Sequence, residues 1–271
     1  MIICNPGILR FLSWQNLGVF LGFSTTKVGS VSFSVARIDE VVERAIKNAI
    51  SRQGQNLRFS NAYCVGLADR DDLYRRALEA PGENFADGLP VAWLIRMASG
   101  RSGPLSAFRV RGPTFFEKVL ASGCSDGLRH TFVGTTSSTL ELLEEWVRKN
   151  YPTSAIAGVY APPFAPLDDE FIEGICREIE EQNPHIVWLG LGTPKQDLAA
   201  EKLALRFPNL TFASVGAAFD FKAGTASEAP LWIQKSGFEW FYRFIKEPRR
   251  LWRRYTVGSF YFFRSVLTSR S

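Results

Sequence analysis

Asp87 is the carboxylate in this chain best suited to acid–base chemistry. It sits in Phe85-Ala86-Asp87-Gly88-Leu89, and an apolar setting of that kind favours a general base. The same residue would also serve as a plain cap for a helix opening at Gly88. A second candidate is Gly190-Leu191-Gly192-Thr193-Pro194-Lys195-Gln196. Its glycines permit close backbone approach, Thr193 suits an N-cap and Pro194 a first helical position. Free amides there would hold an anion such as a nucleotide diphosphate. Thr193 with Gln196 also has capping-box spacing, so structure alone would explain the pattern equally well. Two further loops follow apolar runs. Gly134-Thr135-Thr136-Ser137 offers hydroxyls to a sugar or phosphate, though a plain helix start would look identical; Val215 to Asp220 ends in a carboxylate able to accept from ribose hydroxyls, though taken alone it reads better as a turn cap.

Other constellations point away from chemistry. Asp69-Arg70-Asp71 resembles a metal-binding Asp-x-Asp, but it precedes a helical pattern, where acidic residues cap amides. His130 and His185 are the only histidines and have no ligand-type neighbours at metal spacing. The four cysteines, at 4, 64, 124 and 176, are too scattered for a disulfide framework or a zinc site. No metal or other cofactor is expected.

The loops that carry these residues need strands behind them. Apolar runs at 31–35, 57–60, 131–133, 155–160, 186–191 and 210–215 alternate with helical patterns at 38–50, 71–78, 89–97, 115–120, 135–149, 171–181 and 195–206. Strands alternating with helices of this length predict an α/β fold: a Rossmann-like, mainly parallel sheet with helices on both faces. In such sheets ligands bind at the carboxyl ends of the strands, where all the candidate loops fall. The glycine spacing fails the dinucleotide fingerprint because Lys195 stands at the third glycine position, which disfavours an oxidoreductase.

Charge is unevenly distributed. The 271 residues carry 32 Lys and Arg against 27 Asp and Glu. From Lys235 to Arg270 nine basic residues face two acidic ones, and eleven aromatics are interleaved with them. This predicts a basic, aromatic, helical appendage suited to anionic headgroups and acyl chains; the competing reading is a nucleic-acid-binding tail. No run reaches the ~20 apolar residues a transmembrane helix needs, and no signal-peptide pattern is evident. The expected organisation is an N-terminal extension at 1–27, a catalytic domain at 28–234 and the appendage at 235–271, in a cytoplasmic protein.

Taken in order, several motifs resemble the WecG/TagA/CpsF glycosyltransferases (glycosyltransferase family 26) across Val28 to Phe263. They are Asn61 with Asp87-Gly88, Arg111-Gly112, Gly192 to Gln196, Gly216 to Gly224 with Ala229-Pro230, Phe238 to Arg243, Glu247 to Arg250, and Arg253-Arg254-Tyr255. The resemblance implies inverting, metal-independent transfer of a sugar from a UDP-sugar to a polyprenyl-diphosphate-linked saccharide in cell-surface polysaccharide synthesis, on the inner face of the cytoplasmic membrane. It implies Asp87 as base with Asn61 beside it. The donor would meet Gly134, Thr135, Gly192, Lys195, Gln196 and Asp220; Arg111, Arg243, Arg249, Arg250 and Arg253 would hold acceptor or diphosphate. Nucleic acid is not an expected partner, and a homo-oligomer is left open. Phe59 replaces a threonine frequent in the family, Asp197 replaces the usual glutamate, and the aromatic often near uracil is absent at Pro162-Pro163-Phe164.

Overall fold

The computed structural model describes residues 22–123 and 127–268; the side chains of 250 and 253–255 also lie outside the described residues, as does most of the expected extension at 1–27. The chain opens with β1 (Thr25–Val28) and β2 (Val31–Ser34), an antiparallel hairpin. Its two-residue turn places Gly29 at φ 62°, in the left-handed region. The strand read at 31–35 therefore belongs to a separate ribbon, and its pairing with β1 crosses the expected boundary at 27/28. After α1 (Ile38–Ile50) come β3 (Gln55–Ser60), α2 (Ala62–Ala68), α3 (Asp72–Glu79), β4 (Glu83–Ala86) and α4 (Leu89–Ser99). α5 (Gly112–Gly123), β5 (Arg129–Gly134), α6 (Ser137–Asn150), β6 (Ala155–Tyr160) and α7 (Asp169–Gln182) follow. The α/β portion ends with β7 (Ile186–Gly190), α8 (Lys195–Arg206), β8 (Thr211–Ser214) and α9 (Ala218–Lys222). The expected boundary at 234/235 falls inside α10 (Leu231–Ser236), which with α11 (Glu239–Lys246) and α12 (Pro248–Thr268) makes up the appendage.

Six strands form one wholly parallel sheet in the order β4-β3-β8-β7-β5-β6. Side chains alternate across it, as the period of two requires. Leu57, Phe59, Phe132, Trp188 and Ala213 join the core beneath α1, α5 and α6, whereas Val133, Val187, Leu189 and Phe212 face α7 and α8. Both faces are covered, which the apolar strand sequences anticipate. β4 escaped the sequence reading because its Glu-Asn start looks like a loop. The buried Asn84 side-chain nitrogen donates to the carbonyls of Leu78 and Ser32, which offsets part of the cost of burying it. From β3 the chain crosses to β4 on one side, while β8 lies on the other. The loops after β3 and β8 therefore diverge and open a crevice at the carboxyl edge.

α12 is no trailing tail. It lies on α2, and Phe262 enters a core shared with β2, α2 and α4. The crossing is seated on glycine. A Cβ on Gly66 would stand 2.6 Å from the Gly258 carbonyl oxygen and 2.8 Å from the Phe262 amide nitrogen, and one on Gly258 would meet Tyr63 at 2.8 Å. Backbone cannot yield as a side-chain tip can, so the fit requires hydrogen at Gly66, whereas a Cβ at Gly258 would have to push the Tyr63 ring aside. Gly66→Ala should destabilise the chain by about 1–3 kcal/mol, outweighing the helical gain of about 1 kcal/mol, with faster proteolysis within α12. Urea unfolding and limited digestion check this; a stabilised variant would contradict the close seat.

Candidate active site

Two cavities meet at the carboxyl edge of the sheet. One is polar, about 210 Å³, and opens over the ends of β3, β7 and β8; Asn61, Asp87, Arg111, Gln196, Asp220 and Arg243 are among its walls. The other is apolar, about 380 Å³, and lies between the start of α4 and the appendage, walled by Tyr63, Leu89, Pro90, Trp240, Phe262 and Phe263. Asn61, Asp87, Glu239 and Arg243 line both. They form the partition between a polar and an apolar compartment.

Asp87 follows β4 directly. Its amide donates to the Ser60 carbonyl, as a continuation of the β3–β4 ladder. It does not cap α4, whose N-cap is Gly88 without a side-chain bond. Instead Oδ1 accepts from the Gly112 amide, 2.9 Å away at the start of α5. Among the described residues Oδ2 has no hydrogen-bond partner, so one oxygen is fixed and the other is available. Asn61 divides its atoms similarly: Oδ1 accepts from the amides of Tyr63 and Cys64 and caps α2, leaving the amide group to the cavities.

The Gly190–Gln196 segment folds differently from its capping-box reading. Pro194, after a cis bond, is the N-cap of α8, not Thr193. Gln196 is buried; its Oε1 accepts from the Gly192 amide at 3.1 Å and its Nε2 donates to the Ser214 carbonyl at 3.3 Å. It ties the loop after β7 to the end of β8. The next residue, Asp197, accepts from the Tyr74 hydroxyl at 2.9 Å. Lys195 points away from the cavity: its ammonium donates to the Ala165 carbonyl and lies 3.6 Å from the centre of the Phe171 ring. Gly134 and Thr135 are also absent from the cavity walls. β5 stands two strands from β8, roughly 10 Å at ordinary strand spacing, and Gly134, at φ 131°, packs backbone to backbone against Gly190. Asp220 does line the polar cavity, and its carboxylate stands 3.5 Å from the Thr225 hydroxyl.

Arginine supplies the positive charge. Arg111 is only 6% exposed. Its guanidinium donates to Glu239 at 2.8 Å and to Glu228 at 2.5 Å. Burial acts to lower its pKa, but Glu239, Asp87 and Glu228 outweigh burial and raise it. Arg109 was missed from sequence. Its Nε donates to the Asp87 carbonyl at 2.6 Å, and its two amino groups reach the Gln234 carbonyl and Glu239. The Arg-Val-Arg alternation carried a usable signal, since in an extended segment both arginines share a side while Val110 turns into the core. Burial would raise the Glu239 pKa, but Arg111 and Arg109 hold it below the usual carboxylate range. Arg243, one turn further along α11, lies 5.4 Å from the Phe221 ring; its Nε is buried with no hydrogen-bond partner among the described residues. Arg249 is exposed on the first turn of α12 and lines neither cavity. The side chains of Arg250 and Arg253 lie outside the described residues.

Asp69-Arg70-Asp71 does structural work: Asp71 caps α3 through the Tyr74 amide, and Asp69 lies 3.7 Å from Arg264 of α12. Among the described residues no three His, Cys, Asp or Glu side chains gather as a metal site. The double duty of Asn61 gives a test. Asn61→Asp keeps the capping oxygen and should hold stability within about 0.5 kcal/mol, whereas Asn61→Ala should cost about 1 kcal/mol. Both should lose activity, because both lose the side-chain amide. Urea unfolding beside a turnover assay separates the roles, and full activity in Asn61→Asp would confine the residue to capping.

A relative from Bacillus subtilis (strain 168), N-acetylglucosaminyldiphosphoundecaprenol N-acetyl-beta-D-mannosaminyltransferase, is 25% identical over 213 residues, covering 79% of this chain and 77% of the relative. The glycosyl transferase WecG/TagA/CpsF family matches residues 26–271, which takes in the sheet, both cavities and the appendage. This chain, an α/β enzyme with its carboxylate at the sheet edge and its arginines shared with the appendage, belongs to the WecG/TagA/CpsF family of glycosyltransferases.

Proposed function

We propose that this glycosyltransferase moves a sugar, an N-acetylhexosamine by similarity to the Bacillus relative, from a UDP-sugar to a polyprenyl-diphosphate-linked saccharide. The observation that carries the reading is the position of Asp87, with one carboxylate oxygen fixed and the other available, where a polar and an apolar cavity meet. A nucleotide needs a polar cleft at strand ends; a prenyl-linked acceptor needs an apolar passage opening toward lipid. A base between them can meet the hydroxyl of one substrate and the anomeric carbon of the other.

In this scheme the nucleotide lies over β7 and β8, with Asp220 toward the ribose and the Gly192 and Gly216 turns allowing close backbone approach. Asp87 takes the proton from the acceptor hydroxyl. That oxygen attacks the anomeric carbon from the face opposite the diphosphate, the carbon–oxygen bond to phosphate breaks with its electron pair passing to UDP, and configuration inverts. Arg111 and Arg243 neutralise the charge that grows on the leaving diphosphate, a role needing no metal when fixed cations already face it. Asn61, through its free amide, positions the acceptor beside the base.

The appendage supports a membrane-surface location. Leu231, Trp232, Phe241, Ile245, Phe260 and Leu267 are among its exposed large apolar residues, and basic residues alternate with them. No described helix is long and apolar enough to cross a membrane. Such a surface suits docking on the inner face of the cytoplasmic membrane, where the acceptor's lipid stays embedded.

Asp87→Asn, which keeps the oxygen facing Gly112, should lower kcat by about 10²–10⁴-fold while UDP still binds. The assay follows UDP release with a UDP-sugar and a polyprenyl-diphosphate-linked N-acetylglucosamine, with EDTA present throughout. Parent-level turnover in the variant would remove Asp87 as base, and loss of parent turnover in EDTA would remove the metal-free scheme. Separately, Trp232→Ala with Phe260→Ala should weaken partition onto anionic vesicles by at least about tenfold. Unchanged co-sedimentation would remove the docking surface.

A further inference from the structure

Glu239 is a carboxylate in a position where a phosphate would be expected. Its two oxygens clamp two guanidinium groups at once: Oε2 lies 2.6 Å from Arg109 Nη2, and Oε1 lies 2.8 Å from Arg111 Nη2. Arg111 Nε adds contacts at 3.2 and 3.3 Å. This is the forked geometry with which arginine pairs bind phosphate oxygens. The residue comes from α11 of the appendage, while both arginines belong to the segment between α4 and α5.

The consequence is electrostatic. Among the described residues, the polar cavity is lined by Arg111 and Arg243 against Asp87, Asp220 and Glu239. A cleft with more anions than cations repels a diphosphate, and like charges within a few ångströms in a poorly solvated site oppose one another strongly. Withdrawing Glu239 evens the balance, two charges against two, and frees donors on two arginines together. Gly237, at φ 89° between α10 and α11, ends the preceding helix just before the residue that would move.

We propose that Glu239 is an internal counter-ion occupying the phosphate position on Arg109 and Arg111, and that the substrate's diphosphate binds by displacing it. The proposal rests on the reading that this cleft takes a diphosphate-bearing substrate. Displacement couples the cleft to the appendage in both directions: diphosphate loosens the hold on α11, and anything that draws α11 away opens the anion site.

The test uses the whole chain and inorganic pyrophosphate. By titration calorimetry, Glu239→Gln should bind pyrophosphate at least about tenfold more tightly than the parent, with a melting transition confirming that it is folded. Equal or weaker binding would overturn the proposal, since a residue that merely held the arginines in place would weaken the site when changed. Should the variant not fold, the parent carries the test. Pyrophosphate should alter acrylamide quenching of the tryptophan signal that is lost in Trp240→Phe, because Trp240 adjoins Glu239; no Trp240-dependent change at saturation would equally overturn it. Failure to turn over any UDP-sugar would sink the functional reading while leaving the pyrophosphate measurement standing.

Discussion

A buried guanidinium must have a carboxylate, and here that carboxylate comes from another part of the chain. Arg111 lies at the start of α5 beneath the cleft, nearly inaccessible to water, and an unpaired charge there would cost several kcal/mol. Glu228 meets one side of it and Glu239 the other, with Arg109 sharing Glu239. Glu239 belongs to the appendage, so the charge balance around Arg109 and Arg111 depends on where the appendage sits, while Glu228 pairs Arg111 from outside it. This joins the appendage to the sheet more firmly than its apolar contacts alone and makes it part of the site.

The same economy recurs around the cleft. Asp87 gives one oxygen to the α5 amide, Asn61 gives its oxygen to the α2 cap, and Gln196 ties Gly192 to Ser214. Asp87 and Asn61 each fix a helix with one atom, and Gln196 fixes a loop with two. Asp87 and Asn61 thereby point their remaining polar atoms with little freedom to lose on binding, which is how a rigid scaffold prepares a reacting geometry. Simple deletion of any of them would mix a structural loss with a chemical one, so substitutions that keep the bonded atom are more informative.

Much of the fold was legible because parallel strands buried on both faces are written as short apolar runs, and helices as amphipathic patterns between them. The hairpin and β4 were less so. β1, Thr25–Val28, and the start of β4 are polar, so neither shows the apolar run by which the equally short β2 and β8 were read. The site was legible in its residue types, and less so in its geometry. Gly134-Thr135 and Gly192-Thr193 look alike as strand-end turns, yet only the second lines the cleft; Gly134 lies behind Gly190, packed against its backbone. Lys195 sits on the expected segment and turns its ammonium to Ala165.

What the sequence determined by itself was local: alternating strands and helices, glycine turns at strand ends, a carboxylate beside a glycine, and a basic aromatic tail. These follow from backbone preferences and side-chain type, which act over a few residues. Which turns share a cleft, which oxygen of Asp87 is occupied, and that Glu239 stands on Arg109 and Arg111 were decided only in the tertiary structure. Those outcomes depend on strand order and on a helix crossing seated on Gly66 and Gly258, which bring together residues more than a hundred positions apart.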